Sequence, residues 1–340
     1  MYELIPVTEQ SYYIQNPSKI GLVRLNDTDV CLIDSGNDKD AGRKVRQILE
    51  AHCWHLTAIY NTHANADHIG GNKYLQGQTG CSVYVPEINC EFTKHPVLEP
   101  AFLYGGFPPE DLRHKFLMAQ ESDASLLTED TLPEGFEIIP LPGHYFDMVG
   151  FRTPDDVVFL ADCLSSRQTL DKYQISFIYD VAAYLKTLEM VKSLSGKMFV
   201  PAHAEAVEDI APLAQYNIDK VWEIAEKITS LCREALSFED LMQKLFTEYG
   251  LAMNFEQYVL VGSTVRSYLA WLKDTGRITV SFDRTGCVGQ PSKDNKSIPA
   301  LSALLYSWPK GRGYFYLFFF SCTVSSLTLS HRNGSSVNSR

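Results

Sequence analysis

What most constrains this chain is where its apolar runs stop. Five short apolar runs lie between residues 20 and 203, and each leads into an Asp or a His. Asp29 to Ile33 ends at Asp34, and Leu56 to Tyr60 delivers the chain into Asn61-Thr62-His63. Glu137 to Leu141 precedes Pro142-Gly143-His144, Val157 to Leu160 precedes Ala161-Asp162, and Lys197 to Val200 precedes Pro201-Ala202-His203. A sixth run, Cys81 to Val85, closes at Pro86. Short apolar runs bounded by turn residues read as buried strands, whereas Asp38 to His52, with Val45, Ile48 and Leu49 at helical spacing, reads as a helix. Strands alternating with helices predict a layered α/β fold, and the ends of strands in such sheets are where sites assemble.

The segment after the second run is the densest in ligand-bearing residues: Thr62-His63-Ala64-Asn65-Ala66-Asp67-His68-Ile69-Gly70-Gly71. In an extended segment residues two apart face the same way, so His63, Asn65 and Asp67 are expected to point together. His68 is expected to turn away at the start of a helix, so that one loop serves two neighbouring metal positions. Taken alone, the segment also reads as a helix cap with hydrogen-bonded imidazoles. The other strand ends weigh against that, because four of the nine histidines fall in these motifs. His52, His55, His95, His114 and His331 fall in none and read as structural or surface residues.

The ordered set Asp34, H-A-N-A-D-H, P-G-H, A-D and P-A-H resembles the metallo-β-lactamase fold superfamily, which includes glyoxalase II, lactonases and RNA-processing nucleases. The resemblance covers roughly residues 1–205. It implies an αββα sandwich with a binuclear site at one edge of the sheets. His63 and His144 would bind the first metal, Asp67, His68 and His203 the second, and Asp162 both. Asp34 would lie beneath them as support for the ligands. The implied cofactor is Zn2+, one or two per chain, with Fe or Mn as alternatives. The implied chemistry is hydrolysis by a metal-bound hydroxide, with Asp67 also steering the nucleophile.

The chain departs from the family's H-x-H-x-D-H at Asn65, where an imidazole is usual. An amide oxygen is a neutral, harder and weaker ligand. Asn65 therefore ligates weakly, or holds a water that ligates, or leaves the first site empty and a single-metal enzyme at Asp67, His68 and His203. A weakened first site is the preferred reading, since every other ligand position is filled. Tyr145 and Tyr173 are candidate proton donors to a leaving group, with packing as the plainer role for each.

Residues 90 to 130 break the α/β rhythm with Phe102, Tyr104, Phe107 and a Gly/Pro-rich stretch of no clear period. A long insertion of this kind reads as a lid or substrate wall, or as a loop packed on the core surface. Phe102, Tyr104 and Phe107 there, and Tyr173 farther along the chain, are the candidate substrate contacts. Beyond His203, Ile210 to Leu236 reads as one long helix or two, Ser237 opens another, and Tyr258 to Lys273 forms a last one before a strand at Arg277 to Phe282. The expected organisation is a catalytic domain at 1–205, a small helical, winged-helix-like module at 206–284, and a poorly ordered tail at 285–340. The tail holds eleven serines and six basic residues against one acid, Asp294. Its apolar stretch from Tyr314 is shorter than the roughly 20 residues of a spanning helix.

Net charge is −11, and the tail's surplus of five positive charges leaves −16 on residues 1–284. Such a balance disfavours nucleic acid and acidic membranes as partners. The eight cysteines form no C-x-x-C pair, and the first residues show no basic-then-apolar leader, so reduced thiols and a cytoplasmic location are expected. Three functions follow in descending order: hydrolysis of a small ester, thioester or lactone; a nuclease or phosphodiesterase, suggested by the winged-helix-like segment; and a non-catalytic protein with a degenerate metal site, suggested by Asn65. A small molecule is the expected partner, and a homodimer is compatible with the helical module.

Overall fold

The computed structural model describes residues 2–281 and 304–307. An antiparallel meander opens the chain: β1 (Leu4–Pro6), β2 (Ser11–Ile14), β3 (Ile20–Arg24) and β4 (Asp29–Ile33). Helix α1 (Lys39–Ala51) starts where Asp38 accepts hydrogen bonds from the backbone N–H groups of Asp40 and Ala41. It crosses over to β5 (His55–Tyr60), which runs parallel to β4. Helices α2 (Ala66–Ile69) and α3 (Asn72–Thr79) lead to the parallel strand β6 (Ser82–Val85). Helices α4 (Glu87–Lys94) and α5 (Leu98–Tyr104) then lead to the edge strand β7 (Ser125–Leu126). These seven strands form one sheet in sequence order.

The second sheet has β8 (Glu137–Pro140), β9 (Val149–Arg152), β10 (Val157–Ser165) and, after α6 (Arg167–Tyr173) and α7 (Val181–Lys192), β11 (Met198–His203). Its order is β11-β10-β9-β8, with β10 and β11 parallel. Helices α8 (Ala211–Leu231), α9 (Phe238–Glu248) and α10 (Phe255–Asp274) follow, and β12 (Ile278–Ser281) pairs antiparallel with β13 (Leu304–Ser307).

Alternation along the strands accounts for the layers. Successive side chains point to opposite faces, and strands buried on both faces read as unbroken apolar runs. Cys31 and Ile33 of β4 meet Val157 and Phe159 of β10 in the cluster between the sheets. Val30 and Leu32 point the other way, onto Val45 and Leu49 of α1 and Leu75 of α3. Val158 and Leu160 point away from the inter-sheet cluster, onto Leu188 and Val191 of α7 and Ala214 and Ile218 of α8. The result is helix, sheet, sheet, helix, the αββα sandwich. The same outer cluster continues through Leu241 of α9 to Tyr268 and Leu272 of α10, so the last three helices extend the core of the second sheet.

Three expectations from the sequence need correction. Strand β10 does not stop before Asp162; it runs on to Ser165, with register shifts on either side of Ala161, whose φ of 49° lies in the left-handed region. That irregularity, costly for a residue with a Cβ, re-aims Asp162 out of the regular pleat. Asp67 does not extend the strand-like face of His63 and Asn65, because α2 already begins at Ala66. The aromatic insertion is not all loop: α5 carries Phe102 and Tyr104. Leu103 of α5 is buried with Leu112, Leu117 and Val259 of α10, and Phe102 packs against that cluster. The tail, including its apolar stretch, lies almost wholly outside the described residues. No helix among the described residues is long and apolar enough to cross a membrane.

Candidate metal centre

The site is built outward from one buried carboxylate. Asp34, 2% exposed at the end of β4, accepts from the Thr62 backbone N–H through Oδ1 at 2.8 Å. Its Oδ2 accepts from Thr62 Oγ1 and from His68 Nδ1, both at 2.8 Å. Thr62 Oγ1, having donated its proton to Asp34, accepts from His63 Nδ1 at 2.9 Å. His203 Nδ1 donates to the Pro17 carbonyl at 2.9 Å. Each of these three rings thus spends its Nδ1 proton on the scaffold and turns Nε2 inward, the arrangement that prepares an imidazole for a metal.

The inward atoms form two groups that share Asp162. Asp67, His68, Asp162 and His203 converge in one, and His63, His144 and Asp162 in the other, with candidate ligand atoms of each group within 4.8 Å of one another. His68 Nε2 lies 3.1 Å from Asp162 Oδ1, and His203 Nε2 lies 3.1 Å from Asp162 Oδ2. His203 Nε2 is also 3.3 Å from Asp67 Oδ2, and His144 Nε2 is 3.7 Å from Asp162 Oδ2. Asn65 Oδ1 joins the second group, 3.3 Å from His144 Nε2.

Backbone constraints explain why the loops can come this close. Gly143 has φ 124°, and a Cβ there would sit 2.3 Å from the backbone of Tyr184. Its carbonyl accepts from the N–H groups of Tyr179 and Asp180, which seats the Pro142-Gly143-His144 turn on the start of α7. Gly70 permits a similar approach, since a Cβ would meet the Asn37 carbonyl carbon at 2.3 Å.

The electrostatics divide the imidazoles into two kinds. Burial holds His63 and His144 below the usual histidine range, His63 well below it, and the nearby His68 adds to both. Burial also disfavours a cationic His68, but Asp162, Asp67 and Asp34 outweigh it and raise its pKa well above the usual value. For His203 burial is likewise outweighed, by Asp162 and Asp67, and its pKa is pushed up to about 10. The carboxylates respond in kind. Against the cost of burial, His68 and His203 hold Asp67 at about 2 and Asp162 well below the carboxylate range. Two anions here demand two positive charges. His63 Nε2 meanwhile is buried without a hydrogen-bond partner among the described residues. An orphaned inward nitrogen beside shared carboxylates fits a divalent cation, because imidazole and carboxylate are the donors such ions take.

The other sequence candidates are dispersed. Tyr145 is fully buried behind His63, with ring centroids 5.7 Å apart, and its hydroxyl has no hydrogen-bond partner among the described residues. Phe102 belongs to an aromatic cluster with Tyr145, Phe146, Phe177 and Tyr179 that covers His144. Tyr104 is exposed against Phe255, Phe107 is exposed under Arg113, and Tyr173 is exposed beside Lys172. None of Phe102, Tyr104, Phe107 or Tyr173 lines the cavity of about 810 Å3 that opens beside His203. That cavity is lined instead by Lys19, Arg167, Glu205 and Asp209 among others.

Two features escaped the sequence. One is this cavity, assembled from loops distant in the chain. The other is Glu99, 4% exposed on α5, whose Oε1 accepts from Asn65 Nδ2 at 2.7 Å. Burial, more than the Asn65 hydrogen bond offsets, holds its carboxyl well above the usual range. A lone acid inside the apolar stretch L-E-P-A-F-L-Y was the available signal.

Comparison with known proteins agrees with this geometry. A family described as the metallo-beta-lactamase superfamily matches residues 14–203. A Beta-lactamase-like protein 2 homolog of Drosophila melanogaster is 21% identical over 257 residues, covering 74% of this chain and 80% of its own. A hydroxyacylglutathione hydrolase of Marinomonas sp. (strain MWYL1) is 33% identical over 88 residues, which span only 34% of its length. A beta-lactamase domain protein from Burkholderia ambifaria superposes with TM-score 0.69 at 14% identity, covering 90% of this chain and 94% of that one. A metallo-beta-lactamase family protein from Thermus thermophilus gives 0.61 at 16% identity, covering 82% and 94%. At these identities the structural likeness concerns the fold alone.

Proposed function

The chain belongs to the metallo-beta-lactamase superfamily, and from that premise we propose that it is a metal-dependent hydrolase of small esters, thioesters or lactones that enter beside His203. One observation carries the reading: two ligand groups share Asp162, and a cavity of about 810 Å3 opens on the His203 side of them. In the reading, His63, His144, Asp162 and the Asn65 oxygen hold one divalent ion, and Asp67, His68, Asp162 and His203 hold the other. When bound, such ions lower the pKa of a coordinated water and polarise the scissile bond. Zinc, iron and manganese all suit a set of imidazole, carboxylate and amide oxygen donors.

The chain's own residues supply the rest. Side-chain exposure falls from 35% at Asp67 and 30% at His203 to 0% at His68, so substrate and water approach from the Asp67–His203 side. Asp67 is the carboxylate on that approach, kept ionised by His68 and His203, and is assigned the role of orienting the attacking water and receiving its proton. Asp34 and the Pro17 carbonyl keep His68 and His203 turned inward throughout. Tyr145, enclosed by aromatic rings, is assigned to packing. The helical segment after His203 is read as winged-helix-like and as serving to pack the core and support α5. The partner is a small molecule. The thioester specificity carried by the name of the Marinomonas relative is one arm of the test.

Lys19 and Arg167 favour a second reading, hydrolysis of a phosphodiester. Glu205 and Asp209 line the same cavity, so it lacks the convergent positive charge that phosphate contacts call for. The test is an activity panel of thioesters, lactones, simple esters and phosphodiesters, with Zn2+, Fe2+ or Mn2+ supplied to the metal-free full chain. Turnover of an acyl substrate that vanishes in His203→Ala is expected. Turnover of phosphodiesters alone would replace the first reading by the second, and no turnover with two ions bound would remove both.

A further inference from the structure

Asn65 stands at the N-cap of α2, where an asparagine side chain ordinarily accepts from the helix's first free N–H groups. Here it makes no such bond. Its backbone is extended, with φ −62° and ψ 144°, and its amide reaches inward between two groups. Nδ2 donates to Glu99 Oε1 at 2.7 Å, and Oδ1 lies 3.3 Å from His144 Nε2. Glu99 is 4% exposed. A carboxyl so deeply buried is costly without a polar partner, and Asn65 is the side chain that provides one.

We propose that Glu99 is a positioning residue for the first metal: it fixes the Asn65 amide with its oxygen, rather than its NH2, toward the ion, so that the pair takes the place of the missing imidazole. The two faces of an amide are nearly the same size, and only hydrogen bonding decides which one points inward. The Glu99 oxygen that meets Asn65, Oε1, accepts from Nδ2, which commits NH2 outward and oxygen inward. The 3.3 Å between Asn65 Oδ1 and His144 Nε2 suits two ligands of one ion. Donors about 2.0–2.1 Å from a tetrahedral centre lie about 3.3–3.4 Å apart. An amide that donates to a carboxyl oxygen is also polarised, which makes its own oxygen a better donor to a cation. Glu99 itself is not among the groups whose atoms converge with His63, His144 and Asp162, so it acts through Asn65.

The proposal rests on the metal-centre reading above, and its test reads metal binding rather than turnover. The full chain is freed of metal by chelation, then titrated with Co2+ alone, followed by its visible spectrum, and with Zn2+ alone, followed as metal per chain after equilibrium dialysis. Two ions are expected in the unsubstituted protein. Glu99→Gln, whose NH2 lets the Asn65 amide turn round, should weaken one of them about 10–100-fold and leave the other unchanged. Asn65→Ala should weaken the same ion, and adding Glu99→Gln to it should change nothing further. Asn65→His, with Glu99 as acceptor for the ring, should tighten that ion. The proposal is overturned if Glu99→Gln binds both ions as the parent does, if it weakens the ion equally with and without Asn65, or if the parent binds a single ion. Should Glu99→Gln not fold, Asn65→Ala carries the test, and two tightly held ions in it overturn the proposal. Absence of hydrolysis with two ions bound would remove the substrate reading and leave this one standing.

Discussion

Replacing Asp34 by Asn should disable the second metal position while leaving the loop that carries it in place. Asp34 has φ 63°, a conformation that Asn tolerates about as well, so the backbone has no reason to move. The side chains have nearly the same shape, but one acceptor becomes a donor. Oδ1 can still take the Thr62 N–H; the new NH2 must then face Thr62 Oγ1 and His68 Nδ1, both now bonded to Oδ2 at 2.8 Å. His68 can accept only by moving its proton to Nε2, the atom that lies 3.1 Å from Asp162 and points at the metal position. Loss of such an outer partner costs about 10–100-fold in metal affinity, or about 1.4–2.7 kcal/mol. Two hydrogen bonds to a charged acceptor, at about 1.5–3 kcal/mol each, become neutral ones at about 0.5–1.5, so the metal-free protein should lose about 2–3 kcal/mol. Competition with a chelator measures the first quantity and urea unfolding of the metal-free protein the second. Parental affinity for both ions in Asp34→Asn would refute the assignment of Asp34 as the group that turns His68 inward.

Removing metal should expose an alkaline weakness. His203 is raised from 6.5 to about 10, so its contribution is complete below pH 6.5 and is lost as pH rises toward 10. Asp67, lowered from 3.8 to about 2, contributes above pH 3.8 and loses its contribution as pH falls toward 2. Urea midpoints of the metal-free protein should therefore decline above pH 6.5, and those of the metal-loaded protein should not; a flat metal-free profile between 6.5 and 10 would contradict the ion network. Because the ions displace protons from these rings, Zn2+ binding near pH 7 should release protons in an unbuffered titration, and a proton-neutral uptake would count against it. Gly143→Ala, which puts a Cβ 2.3 Å from the Tyr184 backbone, should be destabilised by more than the roughly 1 kcal/mol of an ordinary Gly replacement, read from the thermal midpoint. Arg167→Ala should raise KM for the preferred substrate and leave metal content alone, since Arg167 lines the cavity and binds no candidate ligand; an unchanged KM would place the substrate elsewhere.

The strands β4, β5, β6, β8, β10, β11 and β12 were legible as short apolar runs, and β4 spans Asp29–Ile33 as read, whereas β1, β2, β3, β7 and β9 were not singled out. The ligand candidates were legible for a related reason: loops at one edge of two sheets must follow strand ends, and His144 and His203 do. What stayed hidden depends on single backbone angles or on partners far along the chain. The left-handed Ala161 inside β10 has no residue signature, so Asp162 looked like the end of a strand. The aromatic insertion lacked a clear period because α5 is only seven residues long and its apolar residues face two different partners, the Tyr145 cluster and α10. Lys19 and Glu99 were not singled out in the sequence; only the tertiary fold buries one against the Ala204 carbonyl and the other against Asn65.

The two metal positions are unequal in access, and the sequence departure falls at the less accessible one. His63 is fully buried, and His144 lies beneath Phe177, while Phe102 and Phe146 enclose Tyr145 behind it. The helices α5 and α10, packed through Leu103 and Val259, hold that aromatic cover in place. An ion seated there would exchange with solvent mainly by way of the Asp67–His203 side, past the other ion. A cover of this kind slows uptake and release alike, so it governs how fast an ion at the Asn65 position exchanges rather than how tightly it is held. Leu103→Ala tests this coupling between cover and ligand. It should open the α5–α10 contact at about 2–5 kcal/mol, and it should speed the release of one ion to a chelator while the other leaves at the parental rate. Acceleration of both ions alike, with the fold intact, would mean that the aromatic cover does not guard the Asn65 position.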